Sequence, residues 1–475
     1  NILSDGNSRE GPGRGRAGIP EKETPVLDCR ARLPYLNPRA ERADLGFLIE
    51  NEYMGREAVI MEKLRVGMIG AGFISHFQAT AIEQVRAMEI AGVTSLKGAE
   101  EFAASVRARN LGPCVVYPNV TELVKNVDAV AIYCPNYTRI AIMEEIVAAV
   151  KAGAALKGLI CEKPLGRNVK EARRLVQLAQ EANLRTAYFE NQLQMKPIRA
   201  QLKQLEPQQR TMGPLALVRS SEEHGGPHEP WFWDPTRQGG GVLCDMGCHS
   251  IAVGWYCLTP VGKPLTFLQP QEVSCDLGLL KWGLPYWREK LLKERGVDYT
   301  KTPAEDFCTG MISYKNPETG QIVKSQFTNS WMFEKQGLRL FMDGMGPGYA
   351  FEINTLISPL NIFIGDAAAE AAANAEVALE KATATRGLLA VQHNEADLYG
   401  YTDENAEAAE AFLAGRDAFL PMSYGLEITK LVMAAYLAAE KKKTINLTDP
   451  AVQNELETYI PAIQQGKGAE VLPVL

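Results

Sequence analysis

The sequence predicts an α/β protein: a doubly wound parallel sheet in the N-terminal part, then a second α+β region. Three observations carry this. From Leu64 to Phe189, short apolar runs alternate with helical patterns of similar length, the order that builds a parallel sheet with helices on its faces. The first run ends in Gly70-Ala71-Gly72 and flows into a helical pattern, the turn that brings backbone amides toward an anion. Past Phe189 the alternation gives way to mixed strands and loops.

The chain has 475 residues, 46% hydrophobic and 23% charged, with a net charge of -7. That length allows two or more domains. The acidic balance offers no field for nucleic acid, and no apolar run is long enough to cross a bilayer. Nine cysteines, an odd count with no Cys-x-x-Cys, include Cys134 and Cys161 inside apolar runs. Reduced thiols and a cytoplasmic setting are expected. Residues 1–60 differ, with a Gly/Arg-rich stretch from Gly11 to Arg16 and prolines at 20, 25, 34 and 38. They are expected to be a disordered extension or an arm, in part upstream of a natural start. The expected plan is that extension, a dinucleotide-binding domain over 61–189, and a second domain over 190–475.

Taken in order, strands are expected at Leu64 to Ile69, Met88 to Val93, Cys114 to Tyr117, Asp128 to Tyr133, Gly158 to Cys161 and Arg185 to Phe189. Helices fall between them: His76 to Val85, Ala99 to Arg109, Thr121 to Lys125, Ile140 to Val150 and Val169 to Ala182. Gly70 permits the tight turn and Gly72 leaves room for a pyrophosphate beside Phe73 and Ile74, at a helix N-terminus. Ser75 stands where a third Gly or Ala is usual; it is small enough for close packing.

Ligands of such sheets bind at the carboxyl ends of the strands, so the polar residues there matter. After strand two stands Thr94-Ser95-Leu96-Lys97, in place of the acidic residue that holds an NAD ribose. Ser95 and Lys97 would tolerate a 2′-phosphate, so NAD or NADP fits; Lys97 as a solvated loop charge fits equally. After strand four come Pro135 and Asn136, after strand five Glu162 and Lys163. A Lys there can hold a substrate hydroxyl and stabilise a developing alkoxide.

Farther on, Gly239-Gly-Gly-Val-Leu-Cys-Asp-Met-Gly-Cys-His249 places Asp245 and His249 four apart, on one face of a helix. They are either a substrate-orienting and proton-moving pair or an N-cap and a buried histidine. His224, His228, Trp231 and Trp233 lie on a Gly/Pro-rich loop. Two readings stand for them: a sugar-facing surface, or core aromatics. A metal site from His224, His228, Cys244, Cys248 and His249 matches no structural zinc spacing, and no metal is expected. Leu215 to Arg219, Gln321 to Phe327 and Leu338 to Met342 read as strands, Ala367 to Ala382 as an exposed helix, and Leu426 to Leu437 as an amphipathic helix. His393 to Tyr401 is a polar stretch able to line a sugar pocket.

Gly70-Ala71-Gly72, Glu162-Lys163-Pro164 and Gly239 through Asp245 to His249, in that order, resemble the glucose–fructose oxidoreductase / inositol dehydrogenase / rhizopine-catabolism (Gfo/Idh/MocA) family of NAD(P)-dependent oxidoreductases. The resemblance implies a Rossmann domain followed by an open, mainly antiparallel sheet that covers the active site. It implies that Lys163 is catalytic with Asp245 and His249, and that Glu162 and Asn136 lie near the nicotinamide ribose. It also implies a sugar, glycoside or polyol substrate and a homo-oligomer, dimer or tetramer, formed through the second domain. The sequence departs from the family at Arg139, where a His is frequent.

The first functional expectation is a sugar dehydrogenase, with Lys163 and His249 handling the hydroxyl proton and Asp245 orienting them. The second is an NAD-dependent glycosidase that oxidises the sugar transiently, eliminates the aglycone, adds water and reduces again. It needs an extra exposed base, for which His224 and His228 are candidates. A third, a nicotinamide-binding regulator without turnover, is disfavoured by the Lys–Asp–His set.

Overall fold

The structure, a computed structural model, describes residues 62–335, 337–357, 361–364, 377–379, 382–384, 387–390 and 394–472. The expected extension over 1–60 and His393 lie outside them.

The six expected strands form one parallel sheet in the order β3-β2-β1-β4-β5-β6. They are β1 (Leu64–Ile69), β2 (Met88–Thr94), β3 (Val115–Val116), β4 (Ala129–Ile132), β5 (Gly158–Glu162) and β6 (Thr186–Phe189). Residues 129–132, 158–162 and 186–189 are buried throughout, as strands covered by helices on both faces must be. Helix α1 (Phe73–Ile82) begins three residues before the expected position, because Gly72 is itself its N-cap. The turn therefore runs straight into the helix and leaves its first amides facing the sheet's carboxyl edge.

The second sheet has the order β12-β11-β7-β10-β9-β8-β13, with β13 the short strand Ile445–Asn446. Its strands β7 (Leu217–Glu223), β10 (Ile322–Ser330) and β11 (Arg339–Gly346) match the three expected ones. The pair β7–β10 is parallel and the other pairings are antiparallel. Strands β8 (Gln269–Gly278), β9 (Phe307–Lys315) and β12 (Tyr349–Asn354) had no counterpart in the sequence reading. In β8 only Val273 and Gly278 are buried, too few to read as a run, and β12 has no buried residue.

Helix α2 (Cys248–Leu258) lies on the inner face of this sheet, buried at every residue but Tyr256. Gly254 allows the approach, since a Cβ there would meet the Ser325 side chain at 2.6 Å. Helix α3 (Met422–Lys441), the expected amphipathic helix, joins the two sheets. Its Gly425 lies against the Tyr188 ring, and the Tyr188 amide donates to Leu420 O at 2.7 Å. Leu159 and Cys161 of the first sheet thus share one core with Leu243, Phe327 and Val432.

One expected helix is corrected. Of Ala367 to Ala382, the described part is strand: Val377–Leu379 pairs antiparallel with Ala382–Ala384. The pairing overrides the helical preference of Ala and Glu; residues 367–376 lie outside the described residues. No described helix is long and apolar enough to cross a membrane.

Candidate active site

Three strand ends of the first sheet converge with one turn of the second region. Lys163, directly after β5, reaches Asp245: its ammonium donates to Asp245 Oδ1 at 3.2 Å and to the Asp245 main-chain oxygen at 2.9 Å. The Lys163 side chain keeps 16% exposure while that of Asp245 keeps 3%, so the pair is a largely desolvated wall with one open edge. Burial is the largest single influence and would lower the Lys163 ammonium, but Asp245, Cys248, Glu222 and Glu162 together outweigh it and hold the ammonium above its ordinary value. Lys163 is therefore charged at neutral pH, a donor to an oxygen and not a base.

The loop around Lys163 is fixed by Arg139. The buried guanidinium donates to Glu162 O at 2.7 Å and Lys163 O at 3.2 Å, and also to Pro164 O. Every bond goes to a main-chain carbonyl, so Arg139 sets the position of Lys163 without touching its side chain.

Asp245 lies in a π-helical turn, Leu243–Gly247, that leads into α2, which begins at Cys248. The four-residue spacing to His249 therefore crosses a change of helix type, and the simple shared α-helical face is corrected. Asp245 meets Lys163, whereas His249 Nδ1 is hydrogen-bonded to Glu190 Oε1 and its Nε2 lies 3.9 Å from Glu222 Oε2. Glu222 is held by the Gln192 amide at 2.8 Å. Glu190, directly after β6, was missed by the sequence reading. The rule applied to strands four and five, a polar residue at the strand's carboxyl end, would have found it.

Glu162 Oε2 accepts from the Lys163 main-chain amide at 3.2 Å. Its Oε1 accepts from the Gln78 amide at 2.9 Å, and the same amide donates to Glu404 Oε1 at 3.1 Å. Burial pushes both carboxyls up. Glu162 thus braces α1 from below, buried in a side-chain network. Asn136 is buried too and donates to Gln238 O at 2.7 Å, tying the end of β4 to the glycine-rich turn.

At the dinucleotide turn, Gly70 (φ +114°) packs against Tyr133 O, while a Cβ on Gly72 would have nothing within 4 Å. The N-terminus of α1 carries no side-chain cap, Phe73 is 41% exposed, and Ile74 is half-buried. This is a cradle suited to a pyrophosphate. Ser95 Oγ donates to Lys97 O at 2.8 Å, leaving the Lys97 side chain exposed beyond β2.

The substrate candidates separate. His228 packs over Phe73, ring centroids 5.5 Å apart, which brings the second region's loop above the dinucleotide turn. Trp231 stacks on Phe232 at 3.9 Å, both half-buried. His224 is buried and accepts from Gly226 N at 2.9 Å. Trp233 is corrected to core: buried among Trp282, Tyr299 and Trp331, it donates to Pro227 O. Among the described residues, Glu190, Cys248 and His249 bring atoms a metal could use within 4.8 Å of one another. The imidazole and carboxyl are hydrogen-bonded to each other, and Cys248 Sγ donates to Asp245 O at 3.4 Å.

Two family profiles match the chain: residues 64–189 as "Oxidoreductase family, NAD-binding Rossmann fold" and residues 207–343 as "GFO/IDH/MocA C-terminal domain". The chain belongs to the Gfo/Idh/MocA family. Among curated relatives, UDP-N-acetylglucosamine 3-dehydrogenase of Acidithiobacillus ferrooxidans is 33% identical over 126 residues, 26% of this chain and 36% of the relative. The 1,5-anhydro-D-fructose reductase of Ensifer adhaerens is 27% identical over 187 residues, 39% of this chain and 54% of the relative. The chain thus spans between about a third and just over half of the length of these relatives. Among solved structures, GenD2 from gentamicin A biosynthesis in complex with NAD has a TM-score of 0.63 at 19% identity, covering 83% of this chain and 99% of that one. That likeness is one of fold. Within the family frame, the departure at Arg139 is explained by the carbonyl bonds above: the guanidinium organises the Lys163 loop.

Proposed function

We propose that this Gfo/Idh/MocA protein is an oxidoreductase that moves a hydride between an NAD-type cofactor and a secondary alcohol carbon of a sugar, glycoside or polyol. The observation that carries the reading is the Lys163–Asp245 ion pair at the sheet's carboxyl edge. It presents one ammonium, already charged, where an alkoxide would form on loss of hydride, and such donors act mainly on the transition state. Gly70, Gly72, Phe73 and Ile74 would hold the pyrophosphate, with Pro135 and Asn136 beside the nicotinamide half. The cofactor supplies the hydride acceptor. Ser95 and Lys97 stand where an acidic residue would exclude a 2′-phosphate, which supports acceptance of both NAD and NADP. His228 and Trp231 are the residues best exposed to meet a sugar ring. The glycosidase alternative needs a further exposed base; His224 is buried, which leaves His228 as the candidate for that role.

The test is Lys163→Ala. Calorimetry with NAD(H) and NADP(H) should give a Kd within roughly twofold of the parent, because the ammonium's contribution is made at the reacting oxygen. Turnover on a panel of hexoses, nucleotide sugars and cyclitols, followed by reduced-nicotinamide absorbance, should fall by about 1,000-fold. Absence of any nicotinamide binding by the parent, or near-parent kcat in the variant, would reject the reading.

A further inference from the structure

If Lys163 is held as an ammonium, it cannot take the proton that an alcohol loses on oxidation. His249, four residues past Asp245, can. His249 sits with one carboxyl at each ring nitrogen: Glu190 bonded to Nδ1, and Glu222 3.9 Å from Nε2. All three side chains are buried. Glu190 Oε2 is also buried, with no hydrogen-bond partner among the described residues, as suits a carboxyl that changes protonation state during a cycle.

We propose, resting on the redox reading above, that Glu190 is a positioning residue that acts through His249. It fixes the imidazole by Nδ1 and shares the proton that His249 takes up. In the oxidative direction the substrate O–H bond breaks and its proton passes to His249 Nε2. The C–H bond breaks with both electrons leaving as hydride to the oxidised nicotinamide, and the C=O bond forms. With Glu190 ionised, as it is above about pH 8, its carboxylate balances the imidazolium or takes the Nδ1 proton. Reduction runs the same steps backward. This division gives Lys163 the charge and the Glu190–His249 pair the proton, much as a buried carboxylate serves a histidine base elsewhere.

The surroundings suit the assignment. Burial pushes the Glu190 carboxyl up to about 8, with Lys163 and the Gln192 main-chain N–H pulling the other way. The other groups facing the pair are Lys163 and Asp245, Glu222 from β7, Cys248 from α2, Tyr188 from β6, Tyr424 from α3, and Glu404. Burial raises the thiol and both phenols, so they stay neutral near pH 7. The carboxyls and Lys163 remain as the groups that set the pair's charge.

The experiment is Glu190→Gln in the full chain, with Glu190→Asp as the conservative control. kcat should fall roughly 100-fold, with KM and the NAD Kd within about twofold. The oxidative kcat should rise with pH through a limb near 8 as Glu190 ionises; that limb should vanish in Glu190→Gln and return, displaced, in Glu190→Asp. Independently of turnover, nitrogen-15 spectra of the five histidines should show the His249 Nδ1 signal moving in Glu190→Gln while the others stay. An unchanged kcat and pH limb, a loss confined to KM, or an unmoved His249 signal would overturn the proposal. So would one equivalent of zinc in the purified protein. A parent that turns over no sugar would fail the redox reading alone, and the His249 spectrum would still decide the Glu190–His249 link.

Discussion

The molecule contains two glycine-rich turns that look alike in sequence and do opposite things. Gly70-Ala71-Gly72 leaves open space: a Cβ on Gly72 would touch no protein atom within 4 Å. Gly239-Gly240-Gly241 leaves none. A Cβ on Gly239 would meet Arg167 at 2.9 Å, one on Gly240 the Tyr436 hydroxyl, and one on Gly241 the Glu305 main-chain oxygen. The first turn leaves the room that the proposed pyrophosphate would need, and the second is crowded because protein already fills it. Its glycines let Glu305 and Tyr436 come close enough to bind the turn's amides: Glu305 Oε1 accepts from Gly241 N at 2.9 Å and Leu243 N at 3.1 Å, and the Tyr436 hydroxyl accepts from Cys244 N at 3.2 Å. Glycine count says that something approaches closely; only packing says whether it is a ligand or the protein itself.

The comparison breaks most visibly at Gly241. Gly241→Ala should destabilise the protein by about 3 kcal/mol, read as a lower denaturation midpoint, and should displace Asp245 with the turn. A variant as stable as the parent would mean the crowding is not real. A smaller effect is expected at Tyr436→Phe. It removes the hydroxyl that donates to Glu305 Oε1 at 2.5 Å and accepts from Cys244 N, leaving buried groups without that partner. A loss of roughly 2 kcal/mol should follow, with cofactor affinity untouched; a change in affinity without a change in stability would put the second turn, not the first, at the ligand.

The sequence disclosed the first sheet well because its strands are buried on both faces and read as continuous apolar runs, residues 129–132 most clearly. It disclosed β8 and β9 poorly. In β8 only Val273 and Gly278 are buried, so its place in the sheet depends on pairing partners more than 30 residues away, such as Ile312. Within the site, Lys163 and Asp245 were legible from strand-end position and spacing. Glu190, Glu222 and Glu404 were not, because a carboxylate reads as surface until tertiary packing buries it. Arg139 was visible only as an oddity; its meaning lay in three carbonyls, 23 to 25 residues farther along the chain. Trp233 erred the other way: an aromatic on a loop is as ready to fill a core as to face a sugar.

The smallest expected change is the most direct test of the account, because it concerns the open turn alone. Gly72→Ala adds one methyl where the protein has room and a pyrophosphate would lie. Calorimetric titration with NADH should show affinity reduced by about tenfold, near 1.4 kcal/mol, while the thermal midpoint stays with the parent's. Undiminished NADH affinity in Gly72→Ala, with fold and stability intact, would contradict the assignment of that turn to the cofactor.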